Sequence, residues 1–288
     1  MLGIKKIKNQ NRFQLQNIKS RITGFFFNHF FMDINVSTVD GVCYLRLNRP
    51  AVFNSFNRSM SLDLQRALDL CSNKEEVRVI VITGEGKAFC AGQDLEEATT
   101  DNGLTLEVII NEHYNPIIKM IREIEKPIVC AVNGVAAGAG ANIALACDIV
   151  VAKQSASFIQ AFSKIGLIPD SGGTFFLPRL IGFQKASALM MMGDKVDGFE
   201  AERIGMIYKS FPDDSFDVEV ETLAFKISKM PTKGLVLTKK ALNKSMVNSL
   251  DQQLELEKDL QVIAGETGDF KEGVSAFMEK RKPIFNGK

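Results

Sequence analysis

Two short apolar segments, each followed by a loop of small residues, most strongly constrain the fold of this chain. Residues 77–83 and 128–132 are dense in valine and isoleucine. Continuous apolar segments of this length are typical of strands buried on both faces of a sheet. The loops that follow, residues 84–92 and 133–140, are rich in glycine and alanine, and the second leads into a helical pattern. Repeated strand–loop–helix units predict an α/β fold.

Further strands and helices are predicted before, between and after these two strand–loop units. In the first half, the other predicted elements are strands at 33–39 and 42–48, helices at 57–71, 104–124 and 141–146, and a strand at 148–152. Asp40-Gly41, between the first two strands, is typical of a hairpin turn. The later pattern is mainly helical, with helices predicted at 186–192, 200–204, 215–229, 233–246, 250–264 and 271–281.

We therefore divide the chain into three parts: a basic N-terminal extension at residues 1–31, an α/β core at 32–225 and a helical C-terminal region at 226–288. The extension has six lysines and arginines and no acidic residue. This composition fits an organelle presequence, which would indicate mitochondria, or a start codon assigned upstream of Met32. We favour the second interpretation, in which residues 1–31 are disordered or not part of the protein, and expect a bacterial cytoplasmic location.

Composition limits the chemistry that the chain can perform. The formal net charge is +1, so no strong field favours nucleic acid or an acidic membrane surface as a partner. Two histidines are too few for multi-histidine metal sites and make Ser-His catalysis improbable, so we expect no metal. The five cysteines are scattered, which argues against a zinc site and a disulfide framework and favours a reducing compartment. A general base must then be a carboxylate, tyrosine or lysine.

The two small-residue loops form the first candidate site. Small residues let a backbone approach a ligand closely, and a helix N-terminus offers N–H groups that lack partners. Two such loops could direct two N–H groups at one oxygen atom and stabilise the negative charge that develops there. A tight packing junction explains the same residues. A dinucleotide loop fits poorly, because Ile143 stands where its third glycine would be.

Four stretches resemble, in order and spacing, the signature of the crotonase family, also called the enoyl-CoA hydratase/isomerase family. They are residues 47–50 (LNRP), 88–95 (AFCAGQDL), 131–140 (AVNGVAAGAG) and 166–174 (GLIPDSGGT). The resemblance covers residues 33–288 and implies a ClpP-like spiral of β-β-α turns. It also implies C-terminal helices that pack in a homotrimer or hexamer. The substrate would be an acyl-CoA, and no separate cofactor is expected, because coenzyme A is part of the substrate.

The same resemblance implies a set of site residues. The N–H groups of Ala91 and Ala139 would form an oxyanion hole, and Asp170 would transfer the proton. The coenzyme A part of the substrate would contact Ala51, Val52, Phe53, Gln93, Asp94, Leu95, Phe277 and Lys280. The last two residues, from this subunit or a neighbouring one, would approach the nucleotide end.

Two departures from the family pattern bear on the reaction. Hydratases of the family have two glutamates where this sequence has Asn142 and Phe162. Adding water to a double bond needs a base for the water and a proton for carbon, so the loss of both carboxylates argues against hydration. Asp170 remains, at a position where the hydratases have a small residue. One carboxylate is enough for isomerisation, because it can take a proton from one carbon and return it to another.

Asp170 also has a purely structural interpretation. An aspartate directly before Ser171 and Gly172 is typical of a helix N-cap. Alternatively, burial beside Ile168 and Pro169 would raise the pKa of the carboxyl group toward the range of a general base. The residues alone leave both interpretations open, and the resemblance favours the base.

Within the family, the chain most resembles the isomerases that act on ring-1,2-epoxyphenylacetyl-CoA in phenylacetate degradation. The similar stretches are residues 48–57, 162–170 and 272–282, and the aspartate of those isomerases falls on Asp170. This resemblance implies conversion of the epoxide to the seven-membered oxepin-CoA and a shift of a β,γ double bond to the α,β position. The alternatives are a fatty-acyl Δ3,Δ2-enoyl-CoA isomerase with the same aspartate, an enoyl-CoA hydratase, and a non-catalytic acyl-CoA binder.

Overall fold

A computed structural model describes residues 27–99 and 104–288. Its larger sheet has seven strands: β1 Phe27–Phe30, β2 Ile34–Val39, β3 Val42–Leu47, β4 Val79–Gly84, β6 Ile128–Val132, β8 Ile149–Lys153 and β11 Lys209–Phe211. They lie in the order β1-β2-β3-β4-β6-β8-β11, antiparallel from β1 to β3 and parallel from β3 onward. The predicted strands of the first half are confirmed. The hairpin is confirmed as well, with positive φ angles at Asp40 and Gly41.

A smaller sheet consists of four three-residue strands: β5 Ala88–Cys90, β7 Val135–Ala137, β9 Ser157–Ile159 and β10 Lys195–Asp197. Its order is β10-β9-β7-β5, in which β5, β7 and β9 are parallel and β10 is antiparallel to β9. Three times the chain goes from a strand of the larger sheet to a strand of the smaller one and then into helical segments. This alternation is the predicted spiral of β-β-α turns, so the fold class is confirmed.

The chain passes between the two sheets at glycines. At Gly84, an ideal Cβ atom would lie 2.3 Å from the carbonyl oxygen of Ala88. At Gly134, it would lie 2.0 Å from the carbonyl oxygen of Lys87. A side chain at either position would overlap the backbone of the neighbouring segment, so the crossing requires glycine.

The α-helices surround these sheets. They are α1 Arg58–Ser72, α2 Leu95–Thr99, α3 Leu106–Val108, α4 Asn115–Glu123, α5 Ala139–Leu145, α6 Gly173–Ile181, α7 Phe183–Met192, α8 Gly198–Arg203, α9 Phe216–Ser228, α10 Thr232–Ser245, α11 Leu250–Gly265 and α12 Gly268–Met278. A π-helical segment, Ile109–Tyr114, divides the helix predicted at 104–124, and α6 was expected only in the N-cap interpretation of Asp170. Among the described residues, no helix has the length and apolar character needed to span a membrane.

Apolar side chains are buried on both faces of the larger sheet. Ile80 and Ile82 of β4 belong to a core shared with α1 and α4, whereas Val79 and Val81 belong to a core shared with α9. A strand buried on both faces has a continuous apolar sequence, as the first prediction assumed. Because α9 includes residues 225 and 226, the predicted boundary between core and C-terminal region falls inside a helix that packs on this sheet.

β1 lies within the segment predicted as an N-terminal extension. It pairs with β2, with Phe27 opposite Thr38 and Phe30 opposite Asn35. The larger sheet therefore begins before Met32, and the predicted boundary after residue 31 is too late. Residues 1–26 lie outside the described residues, so the presequence and start-codon interpretations stay predictions.

Cys43 and Cys71 form a disulfide. They are 28 residues apart in the sequence, but α1 packs against β3 and brings their Cα atoms to 6.7 Å. This separation lies within the range that a disulfide spans. One such pair is not the disulfide framework that the scattered cysteines argued against, but it was not predicted, because sequence spacing does not reveal contacts between a strand and a later helix. Cys90, Cys130 and Cys147 are free and buried.

A group of charged side chains attaches α10 to the core. The carboxylate of Asp148 lies 2.9 Å from Lys239 Nζ and 3.2 Å from a guanidinium nitrogen of Arg122. It also accepts the backbone N–H of Ile128 at 2.8 Å. Lys239 is buried, and burial lowers the pKa of its ammonium group while Asp148 opposes that shift. This network fixes the start of the C-terminal helices relative to the larger sheet.

Replacing Lys239 with methionine should show how much this charged network contributes to the free energy of unfolding. Lys239→Met removes one charged partner of Asp148, which keeps Arg122 at 3.2 Å, so the loss should approach but not exceed the about 3–5 kcal/mol of an uncompensated buried charge. Lys233→Met, on the same helix, removes only an exposed pair with Glu125 and should cost about 0–1 kcal/mol. Urea unfolding of both variants measures the difference. If Lys239→Met and Lys233→Met lost the same unfolding free energy, the network around Asp148 would not be what attaches α10 to the core.

Candidate active site

The two small-residue loops meet because β5 pairs with β7. An ideal Cβ atom at Gly140 would lie 2.6 Å from the carbonyl oxygen of Cys90. At Gly92, it would lie 2.9 Å from the carbonyl oxygen of Ala137 and 3.7 Å from the nitrogen of Ala139. The small residues therefore allow the close approach of two backbones, and both the packing interpretation and the proximity of the loops are supported.

The two predicted oxyanion donors differ in their surroundings. Ala139 is the first residue of α5, where N–H groups have no partner within the helix. The N–H of Ala91 instead donates to the carbonyl oxygen of Phe53 at 3.0 Å. An oxyanion that binds both N–H groups must therefore displace the Phe53 carbonyl or share the Ala91 donor with it. No local pattern of residues indicates this contact.

The two segments predicted to bind coenzyme A are joined to each other. Phe56 donates its N–H to Gly92 and accepts the N–H of Asp94, at 2.7 and 2.8 Å. Arg49 lies 2.9 Å from the carboxylate of Asp94 and also donates to the carbonyl of Ser55. Both charged side chains are less than one fifth exposed. Asp94 thus holds the segments together through its carboxylate, and the substrate contact predicted for it stays a prediction.

Exposure distinguishes the remaining predicted contacts. Residues 51–53 and Leu95 are exposed, as substrate contact requires, and Gln93 is half-buried. Phe277 is 81% exposed on the last turn of α12, and Lys280 follows it. Their approach to the nucleotide end of the substrate, from this subunit or a neighbouring one, stays a prediction.

Asp170 stands in a tight turn directly before α6. Ser171 and Gly172 both have positive φ angles, 50° and 75°, and the carbonyl of Asp170 accepts the N–H of Gly173 at 2.8 Å. These values describe a type I′ turn. The N-cap residue of α6 is Gly172, and no side chain caps the helix. The N-cap interpretation of Asp170 is therefore wrong, because the turn directs its carboxylate away from the helix N–H groups.

The carboxyl group of Asp170 has the electrostatic surroundings of a general base. Burial raises its pKa above the ordinary value, and a hydrogen bond from the Ser171 hydroxyl, 2.9 Å long, lowers it in part. This agrees with the expected desolvation. A carboxylate with a raised pKa is a stronger base than an exposed one, and it remains ionised at neutral pH when the shift is moderate.

Asn142 and Phe162, which the resemblance places where hydratases have two glutamates, are both buried. The amide group of Asn142 donates to the backbone carbonyl of Asp170 and accepts from the amide of Gln160, both at 2.8 Å. Phe162 lies against Gly138, where an ideal Cβ atom would be 3.8 Å from its ring. Neither side chain can act as a general acid or base, and neither amide atom of Asn142 is without a partner.

Tyr114 was missed by sequence reasoning. Its hydroxyl donates to the side-chain oxygen of Gln93 at 2.7 Å, which connects the π-helical segment to the first loop. Burial raises its pKa well above the ordinary value, and the charge of Asp170 contributes to the shift, so the two groups are near each other. In the sequence, Tyr114 is one apolar residue among many at helical spacing and gives no specific signal.

Comparison with known proteins assigns the family. The family model described as "Enoyl-CoA hydratase/isomerase" matches residues 37–288. The chain belongs to the enoyl-CoA hydratase/isomerase family. Such enzymes act on CoA thioesters, and the resemblance stated from the sequence is confirmed.

Relatives in the enoyl-CoA hydratase/isomerase family include both reaction types. The chain is 44% identical to "1,2-epoxyphenylacetyl-CoA isomerase" of Escherichia coli K12, over 89% of this chain and 100% of that protein. It is 43% identical to a Rhodobacter capsulatus protein named "Probable enoyl-CoA hydratase", over 86% and 96% of the two chains. The crystal structure of an enoyl-CoA hydratase from Bacillus anthracis matches with a TM-score of 0.83 at 32% identity, over 89% and 100%. The identities to an isomerase and to a hydratase are similar. They do not decide which reaction this chain catalyses, so the reaction has to be inferred from the site residues.

Replacing Asp170 with asparagine should not destabilise the fold. A carboxyl group whose pKa is raised by folding contributes stability at low pH and loses it as the pH rises through the raised pKa. Above that raised pKa the charged carboxylate therefore opposes folding, and Asp170→Asn should melt there at the wild-type temperature or above it. At acid pH, where Asp170 is protonated, the two proteins should melt alike.

Asp94→Asn is the matched control for this measurement. It removes the partner of Arg49 from a largely buried ion pair, so a loss of about 3–5 kcal/mol is expected. Thermal denaturation at several pH values compares the two variants. If the melting temperature of Asp170→Asn fell as far below that of the wild type as the melting temperature of Asp94→Asn does, Asp170 would have a structural role.

Proposed function

We propose that this chain is a CoA-thioester isomerase. Its substrates would be ring-1,2-epoxyphenylacetyl-CoA, converted to oxepin-CoA, and enoyl-CoA thioesters whose β,γ double bond is moved to the α,β position. One observation carries the proposal: Asp170 presents a partly desolvated carboxylate, while Asn142 and Phe162 stand where a hydratase needs two more carboxylates. The 44% identity to the isomerase of Escherichia coli supports the same reaction.

The double-bond shift needs one base and one site for negative charge. The N–H groups of Ala91 and Ala139 would polarise the thioester carbonyl, once the Phe53 carbonyl no longer holds the Ala91 donor. Asp170 would take the proton from the carbon between the carbonyl and the double bond, which gives a dienolate. The same carboxyl group would return that proton to the far carbon of the dienolate. A single oxyanion donor contributes about 2.7–4 kcal/mol to such a transition state in other enzymes.

Conversion of the epoxide to oxepin-CoA also conserves every atom of the substrate. The rearrangement breaks a carbon–carbon bond shared by the two rings and leaves the oxygen in a seven-membered ring. The oxyanion hole would hold the thioester, and Asp170 would exchange a proton with the adjacent carbon as it does in the double-bond shift. No water, metal or redox cofactor takes part in the proposed reaction.

Hydration is disfavoured by the same residues. A water nucleophile needs a base within hydrogen-bonding distance and carbon needs a proton donor. The amide of Asn142 is engaged by Asp170 and Gln160, and the ring of Phe162 is apolar. Asp170 alone would have to activate water at one carbon of the double bond and protonate the other, which one carboxylate does less well than two.

Parallel assays of the wild type and Asp170→Asn test the proposal. The substrates are ring-epoxidised phenylacetyl-CoA, a straight-chain 3-enoyl-CoA and a 2-enoyl-CoA, with products separated by chromatography and read by absorbance. We expect the wild type to isomerise the first two and to leave the third unhydrated. Loss of a general base costs about 10²–10⁴-fold in rate, so Asp170→Asn should lose activity by that factor.

The control is Asp214→Asn, which changes an exposed carboxylate and should keep the wild-type rate. Isomerisation of 3-enoyl-CoA alone would favour the fatty-acyl Δ3,Δ2-enoyl-CoA isomerase. Hydration of the 2-enoyl-CoA would favour a hydratase, and binding without turnover would favour a non-catalytic acyl-CoA binder. Wild-type rates in Asp170→Asn would contradict the assignment of the base.

The proposal includes an assembly and a location. The C-terminal helices expose large apolar side chains, among them Leu250, Val262 and Phe277, which supports burial against other subunits of a homotrimer or hexamer. In such an assembly Phe277 and Lys280 would reach the nucleotide end of a neighbour's substrate. We propose a bacterial cytoplasmic location, or mitochondria if the first residues are a presequence, and no nucleic-acid or membrane partner.

A further inference from the structure

Three segments of the chain meet at the amide group of Asn142. Asn142 lies in α5 and is 0% exposed; Gln160, at the end of β9, is also buried. The third segment is the turn of Asp170, whose carbonyl oxygen accepts from Asn142 at 2.8 Å. Gly173 lies directly against the same amide, because an ideal Cβ atom there would be 2.4 Å from the Asn142 side-chain nitrogen. No larger side chain than glycine fits at this point of α6.

The hydrogen bond from Asn142 acts on a strained turn. It holds the peptide plane between Asp170 and Ser171, and the orientation of that plane sets the positive φ of 50° at Ser171. A non-glycine residue keeps such a φ only when surrounding contacts enforce it. The carbonyl of Asp170 has two donors, Asn142 and the N–H of Gly173. Without Asn142, rotation of this peptide would relieve Ser171 and move the carboxylate of Asp170.

Gln160 fixes which way the amide of Asn142 points. Its side-chain nitrogen donates to the Asn142 oxygen at 2.8 Å, so the Asn142 nitrogen must face Asp170. The side-chain oxygen of Gln160 is buried and has no partner among the described residues. A buried unsatisfied acceptor destabilises the fold. The orientation of the Gln160 and Asn142 amides therefore leaves one acceptor without a hydrogen bond, but it allows Asn142 to donate to the carbonyl of Asp170.

We propose that Asn142, oriented by Gln160, is a positioning residue that holds the carboxylate of Asp170 in place for proton transfer. The proposal rests on the proposed function, because it requires Asp170 to be the base. Asn142 does not touch the reacting atoms; it acts through the backbone of the turn.

Steady-state kinetics of Asn142→Ala with a 3-enoyl-CoA, across a pH series, test the proposal. A misplacement of about 1 Å costs about 10²-fold in rate, so kcat should fall by about that factor while KM changes little. Gln160→Met, which leaves the Asn142–Asp170 bond possible but unoriented, should give a smaller fall in kcat. The matched control is Asn243→Ala, which removes hydrogen bonds to Arg122 away from the turn and should lower the melting temperature without changing kcat.

Asn142→Asp serves if Asn142→Ala does not fold, since it is nearly isosteric. Its carboxylate cannot donate to the Asp170 carbonyl and brings a like charge near Asp170. The fall in kcat should then be accompanied by a shift of the acid limb of the pH profile to higher pH. The positioning role alone would be overturned by the following result. The folded Asn142 variants keep the wild-type kcat and an unchanged acid limb, while Asp170→Asn is inactive. Wild-type activity in Asp170→Asn would instead overturn the proposed function.

Discussion

Close contact between backbones, possible only where side chains are absent, underlies both the fold and the site. Gly84 and Gly134 let the chain cross from the larger sheet to the smaller one. Gly92 and Gly140 then let the two loops at the ends of β5 and β7 touch. A methyl group at Gly92, Gly134 or Gly140 would push the two loops apart. The N-terminus of α5 would then no longer face the first loop, and two N–H groups could not meet at one oxygen atom.

Opposed contributions to the electrostatics of Asp170 make the site suitable for isomerisation. Burial raises the pKa of the carboxyl group, and the Ser171 hydroxyl limits that rise by stabilising the charged form. The carboxylate is thereby a stronger base than that of an exposed aspartate. Asn142 and Phe162 add no second ionisable group at the positions where hydration would need one. The proposed isomerisation therefore depends as much on these two neutral side chains as on the charged one.

Sequence patterns predicted the parts of the fold that long apolar segments form. The strands β2, β3, β4, β6 and β8 follow from hydrophobic pattern and a hairpin turn. The strands of the smaller sheet were not predicted, because three residues are too few to show a period of two. The disulfide between Cys43 and Cys71 was also missed, since it joins elements that only the tertiary structure brings together.

For the site, the sequence indicated which residues matter but not how each is held. Asp170 was compatible with an N-cap and with a base until the turn at Ser171 and Gly172 excluded the cap. The contact between Ala91 and Phe53, and the ion pair that occupies Asp94, involve residues 38 and 45 positions apart, and no local pattern encodes them.

Turnover in water labelled with oxygen-18 tests the central claim most directly. The wild-type protein is incubated with a 3-enoyl-CoA and with ring-epoxidised phenylacetyl-CoA, and the products are analysed by mass spectrometry and absorbance. Our account predicts products of unchanged mass without label, a conjugated enoyl thioester from the first substrate and oxepin-CoA from the second. A product heavier by one labelled water would show that the chain adds water across the double bond, and would contradict an isomerase with Asp170 as its single base.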